Sequence, residues 1–114
     1  IAASNAAYCA VDEGKFIDFH EALYVVQPAV QNSGFFNTDN LISIGKKVGI
    51  SSDSFSDCIT NKSKLMNVVA STESMTRYEV RGTPTVFING KVWNRQNPNF
   101  DLNEFRAAVE AAIE

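Results

Sequence analysis

Thr83-Pro84-Thr85-Val86-Phe87-Ile88-Asn89-Gly90-Lys91-Val92-Trp93 is the one stretch of the sequence that reads clearly as a β-hairpin. Val86, Phe87 and Ile88 are β-branched or aromatic residues, which fit a pleated surface. Asn89-Gly90 is the dipeptide best able to take two successive left-handed residues, as a two-residue type I′ turn demands. Lys91-Val92-Trp93 returns as the second strand. Pro84 stands at the mouth of the first strand, where a missing N–H harms the ladder least. Val86 to Ile88 is continuously apolar, the pattern of a strand covered on both faces. A lone two-stranded hairpin is marginal in water. Such a strand therefore calls for more sheet beside it and helices around it.

Outward from the hairpin, the chain offers helices and no second convincing strand. Between Lys62 and Tyr78, Leu65, Val68, Val69, Thr72 and Met75 recur at helical spacing until Gly82 breaks the pattern. Before a break at Thr60-Asn61, Ser52 or Asp53 can cap a helix that buries Phe55, Cys58 and Ile59. Thr38 is the expected N-cap of a helix with Leu41, Ile44 and Val48 inward and Gly49 just past its end. Gln27 to Asn37 reads as a loop with a Ser33-Gly34 turn. Phe16, Phe19, Leu23 and Val26 form the stripe of an earlier helix, ended by Pro28. Ser4 to Val11 is helical, with Gly14 bending or ending it. Downstream, Asp101 caps a last helix with Leu102, Phe105, Val109 and Ile113 inward. The expected order is four helical segments, the hairpin and one helix. The rest of the sheet is expected upstream of Ile1 or from another chain.

A chain of 114 residues, 45% hydrophobic and 20% charged, supports one globular domain. Its net charge of −3 comes with no basic stripe, which argues against a nucleic-acid partner. No run approaches the length of a membrane span. The chain starts Ile1-Ala2-Ala3, with neither an initiator Met nor a leader pattern. A removed leader, or a start inside a domain, is expected. Cys9 and Cys58 fit neither Cys-x-x-Cys nor a zinc site, and His20 alone cannot complete a metal site. A structural disulfide and two buried thiols both remain open at this point. His20 is a candidate acid–base group, but no carboxylate or cysteine is set beside it by motif, so packing or a helix surface is expected. Asp12, Glu13, Asp18 and Glu21 read as a solvated helix face. Phe16, Phe19, Phe35, Phe36 and Phe55 read as core, some with the chance to line a groove for unfolded substrate. Asn94-Arg95-Gln96-Asn97 reads as a solvated loop.

Two stretches resemble a known family. Gly82-Thr83-Pro84-Thr85-Val86-Phe87-Ile88-Asn89-Gly90 resembles the cis-proline loop and following strands of the thioredoxin superfamily, and more closely those of DsbA-like thiol–disulfide oxidoreductases. Gly14-Lys15-Phe16-Ile17-Asp18-Phe19-His20-Glu21-Ala22-Leu23-Tyr24 resembles a stretch of the helical domain inserted into that fold. Leu41 to Gly49 and Phe55 to Cys58 match the next insert helices in type and spacing, so the resemblance covers nearly the whole chain. It implies an α/β, thioredoxin-like fold, with residues 1–79 as the helical insert domain and 80–114 as the C-terminal β-β-α part. The family's N-terminal β-α-β unit, with a Cys-x-x-Cys at a helix N-terminus, would lie upstream of Ile1.

The resemblance also implies chemistry. The family exchanges a low-pKa thiolate with a substrate disulfide. No catalytic residue is expected within the 114 residues, which should be inactive alone. Thr83 and Pro84 would form the substrate-binding wall, with a cis bond that exposes the Thr83 backbone for strand addition. Cys9 and Cys58 would form a structural disulfide, since the family works in oxidising compartments and some of its members carry a second cysteine pair in the helical domain. That bridge is expected to tie the first helix to the third, closing a loop of about 50 residues worth roughly 4 kcal/mol. No cofactor or metal is implied. Implied partners are cysteine-containing unfolded or folding proteins and a membrane redox partner, in an extracytoplasmic setting. Two rival expectations are a redox-inactive, thioredoxin-like peptide-binding module and a glutathione-using relative of the kappa-class transferase type.

Overall fold

A computed structural model of the chain describes residues 1–113, as six helices and one two-stranded sheet. The helices are α1 (Ala2–Asp12), α2 (Phe16–Val25), α3 (Thr38–Lys47), α4 (Asp53–Thr60), α5 (Leu65–Arg77) and α6 (Leu102–Ile113). The strands are β1 (Phe87–Ile88) and β2 (Lys91–Val92). The chain forms two units, Ile1–Ser74 and a second beginning at Met75, so the division falls within α5.

In the first unit, α1 packs against α2, α3 and α4. Its inward residues Ala6, Cys9 and Ala10 are small and fully buried, which lets the neighbouring helices come close. Phe19, Leu41, Ile44, Ile50, Phe55 and Ile59 complete the core. Phe19 and Phe55 meet edge-on, with ring centroids 5.6 Å apart. This is the arrangement that the ring quadrupoles favour. Gly45 lies against the Phe55 ring, leaving no room for a side chain. Gly49, at φ +91°, closes α3 in a conformation that needs glycine. Ser52 caps α4 by accepting from Phe55 N at 3.2 Å.

In the second unit, β1 and β2 pair antiparallel, Phe87 with Val92 and Ile88 with Lys91. Asn89 and Gly90 sit at φ +51° and +78°, the type I′ turn that the dipeptide predicts. Trp93 N donates to Val86 O at 2.8 Å and extends the ladder. Helix α6 packs on β1 and starts at Asp101, whose carboxylate accepts from Glu104 N at 3.0 Å. Trp93, Phe100 and Phe105 cluster, the Trp93 and Phe105 rings 5.4 Å apart.

Several expectations need correction. Five helices precede the hairpin rather than four: each of the five apolar segments read above is a separate helix, the last two parted at the expected break after Thr60, with Lys62 at φ +52°. Cys58 therefore lies in the fourth helix, not the third, and is half-buried rather than buried. The N-cap of α3 is Asn37, whose side chain accepts from Asn40 N at 2.9 Å, and Thr38 is the first helical residue. Asparagine is at least as good a cap as threonine, and here it holds the extended backbone a cap needs. The strand is not covered on both faces: Phe87 is 40% exposed, because its sheet has two strands and only α6 and the Tyr78 ring pack on it among the described residues. The apolar stripes of α5 and α6 are largely open, with Val69, Met75, Leu102 and Ile113 exposed. Phe16 and Phe35 are also at the surface, whereas Phe19 and Phe55 lie in the core and Phe36 is half-buried against it. Glu13 is no solvated side chain: its carboxylate accepts from the Ser52 and Ser54 hydroxyls, at 2.6 and 2.9 Å.

Candidate functional site

The chain leaves α5 through Gly82 and enters β1 through Thr83, Pro84 and Thr85. The Thr83–Pro84 peptide bond is cis. Both residues are exposed. The Thr85 hydroxyl donates to Gly82 O, which braces the loop from within. Neither the Thr83 nor the Thr85 amide takes part in a backbone hydrogen bond among the described residues. Pro84, Thr85, Val86, Trp93 and Arg95 border a cavity of about 270 Å³ beside this loop. A segment whose backbone amides are unpaired and which leads into a short strand is a candidate template for strand addition. The 94–97 loop is more ordered than a solvated loop requires, since Gln96 N and Asn97 N both donate to the Glu104 carboxylate.

Cys9 and Cys58 form a disulfide that ties α1 to α4, with Cα atoms 6.0 Å apart. Both cysteines of the chain are in this one bridge. Cys9 is 1% exposed, inside the core, whereas Cys58 keeps part of its surface in solvent. Beside the bridge lies Asn5, the one buried polar residue of the described chain, at 2% exposure. Its Oδ1 accepts from Lys64 N at 2.9 Å, and its Nδ2 points at Cys9 Sγ from 3.9 Å. Lys64 also pairs with Asp12 at 2.9 Å, so the start of α5 is fastened to α1 at two points. Sequence reasoning missed Asn5. The signal was present: a polar residue four positions before Cys9 on an otherwise Ala-rich helical face.

His20 is exposed and lies between Phe16, tilted to it, and Tyr24, edge-on to it, with centroids 5.4 and 5.1 Å away. It borders a shallow apolar groove of about 260 Å³, with Ala3, Ala7, Leu23 and Phe36. No carboxylate pairs with it among the described residues. The structure thus brings Thr83 and Pro84 together on one exposed loop of the second unit, and Cys9 and Cys58 together in the first.

A protein-family model described as Thioredoxin matches residues 1–111. Among curated proteins, the chain is 28% identical over 113 residues to a "Putative protein-disulfide oxidoreductase" of Rickettsia bellii, covering 98% of this chain and 42% of that protein. It is 27% identical to a protein of the same description in Rickettsia typhi, covering 98% of this chain and 40% of that protein. A third relative, a Na(+)/H(+) antiporter NhaA 1 of Salinispora arenicola, is 24% identical over 97% of this chain but only 16% of its own length. The chain thus spans about two fifths of the length of the two oxidoreductase relatives. No solved structure matches the chain.

Proposed function

The chain belongs to the thioredoxin family, and on that premise we propose that it is part of a DsbA-like thiol–disulfide oxidoreductase that forms or reshuffles disulfides in exported proteins. The observation that carries this reading is the match to relatives described as protein-disulfide oxidoreductases along 98% of the chain. A reactive Cys-x-x-Cys, in a β-α-β unit preceding Ile1, would supply the nucleophile. In that scheme the attacking thiolate forms a mixed disulfide with the substrate sulfur, and the displaced sulfur leaves as a thiolate. Thr83 and Pro84 supply the wall against which the substrate lies, pairing as an added strand with the free backbone of Thr83. The helices of the first unit correspond in this reading to the family's helical insert, and the Cys9–Cys58 bridge holds α1 to α4. Substrates are cysteine-containing folding proteins, a membrane partner reoxidises the reactive pair, and the setting is extracytoplasmic.

A titration tests the docking part. A short extended peptide with serine in place of cysteine is added to the labelled chain, and backbone amide shifts are followed. The reading expects the largest changes at Thr83, Thr85 and Val86. Changes confined to the groove beside His20, or none at millimolar peptide, contradict it. A second reading, a redox-inactive peptide-binding module, is favoured by the placement of both cysteines in one bridge. It predicts the same shifts without disulfide transfer by the longer protein.

A further inference from the structure

Beyond its tie between two helices, the Cys9–Cys58 disulfide is asymmetric, and we propose that Cys58 is a thiol-exchange site for low-molecular-weight thiols, with Asn5 holding the departing Cys9 sulfur. Exchange requires a thiolate to approach along the S–S axis, so the attacked sulfur must be reachable from the side opposite its partner. Cys9 is 1% exposed and packed in the core with Ala6, Ala10, Phe19 and Phe55. An attack on it needs the helices to part. Cys58 is half-buried near the end of α4, followed by the exposed residues Thr60, Asn61 and Lys62. Of the two bridged residues only Cys58 keeps surface in solvent, so a small thiol meets it first.

The departing group is then Cys9. A thiolate inside an apolar core is costly, and that cost alone would oppose opening of the bridge. Asn5 offsets it in part. Its Nδ2 is 3.9 Å from Cys9 Sγ, and its Oδ1 is fixed by Lys64 N at 2.9 Å, which orients the amide with its N–H towards the sulfur. Cys9 and Cys58 both lie near the C-terminal ends of their helices, so the helix dipoles favour neither as a thiolate. The amide donor is what distinguishes them.

The step balances as an exchange. A thiolate forms a new S–S bond to Cys58 Sγ while the Cys9–Cys58 bond breaks. The electron pair leaves on Cys9 Sγ, which is held by Asn5 and protonated from solvent. A second thiol can then attack the adduct sulfur, releasing the small disulfide and a Cys58 thiolate, for a net two-electron reduction of the bridge.

The probe is reduced glutathione. The oxidised chain is incubated under native conditions, quenched with an alkylating reagent, digested and mapped by mass. The expected result is glutathione on Cys58 and alkyl on Cys9, with Cys58 adducts at least about tenfold over Cys9 adducts. Equal labelling, preference for Cys9, or adducts appearing only at the rate of global unfolding would overturn the proposal. This mapping uses the native sequence and does not depend on any variant folding. Asn5→Asp keeps the oxygen acceptor for Lys64 N and removes the donor to Cys9. At fixed glutathione it is expected to slow adduct formation at Cys58 about tenfold, the size of one charge-assisted hydrogen bond to the departing thiolate. An unchanged rate of adduct formation in a folded Asn5→Asp chain would remove Asn5 from the mechanism.

Discussion

Single residues show best where local rules stop. Helix propensity alone says that Gly45→Ala should stabilise α3 by up to about 1 kcal/mol. Gly45 is buried, and an added Cβ would run into the Phe55 ring. That ring is itself fully buried against Phe19, so it cannot move aside without disturbing the core. Overpacking of this kind costs about 1–3 kcal/mol, which outweighs the propensity gain. Gly45→Ala is therefore expected to lower stability by about 1–2 kcal/mol, read as a lower urea midpoint in helical circular dichroism. A midpoint at or above that of the parent chain would show that Phe55 has room to shift. Residues whose role is local were legible: Asn89-Gly90 made the turn, Ser52 and Asp101 cap their helices. Asn5, Glu13 and Gly45 were not, because each takes its role from a partner far along the chain: Lys64, Ser52 and Phe55.

Among the elements, α1 is the one that the others lean on, and the disulfide fixes it to α4. The bridge spans a sequence separation of 49. Closing a loop of that length in the unfolded chain is worth about 4 kcal/mol in the chain-entropy account. Replacing both cysteines by alanine is expected to lose about that much from the stability of the first unit, measured by urea unfolding. A loss under about 1 kcal/mol would mean that the core holds α1 to α4 unaided. The apolar periodicity of α1 to α4 was readable because those helices bury their stripes against each other. The same rule misjudged α5 and α6, whose stripes are just as regular but largely open: Val68 is buried, whereas Val69, Met75 and Leu102 are exposed and Ile113 is so at 79%. Periodicity states which face is apolar and not what covers it. For β1, the continuous apolar run gave the same false impression of cover.

At the scale of the whole molecule, the pattern of open apolar faces in the second unit and the length of the oxidoreductase relatives support one account. In that proposed account the 114 residues would carry the substrate-facing loop and a helical unit, and a reactive dithiol would lie in sequence preceding Ile1. The thioredoxin family was legible from Gly82 to Gly90 because that loop combines a proline, a strand and a two-residue turn in fixed order, each imposed by backbone geometry. Which thiol attacks, and in which compartment, was never written in these residues. The direct test is oxidation of a dithiol peptide, with glutathione disulfide as the terminal oxidant, by the longer protein and by the 114-residue chain side by side. The account predicts multiple turnovers by the longer protein and none by the chain alone. Sustained turnover by the chain alone, or a longer protein that transfers no disulfide, would contradict it.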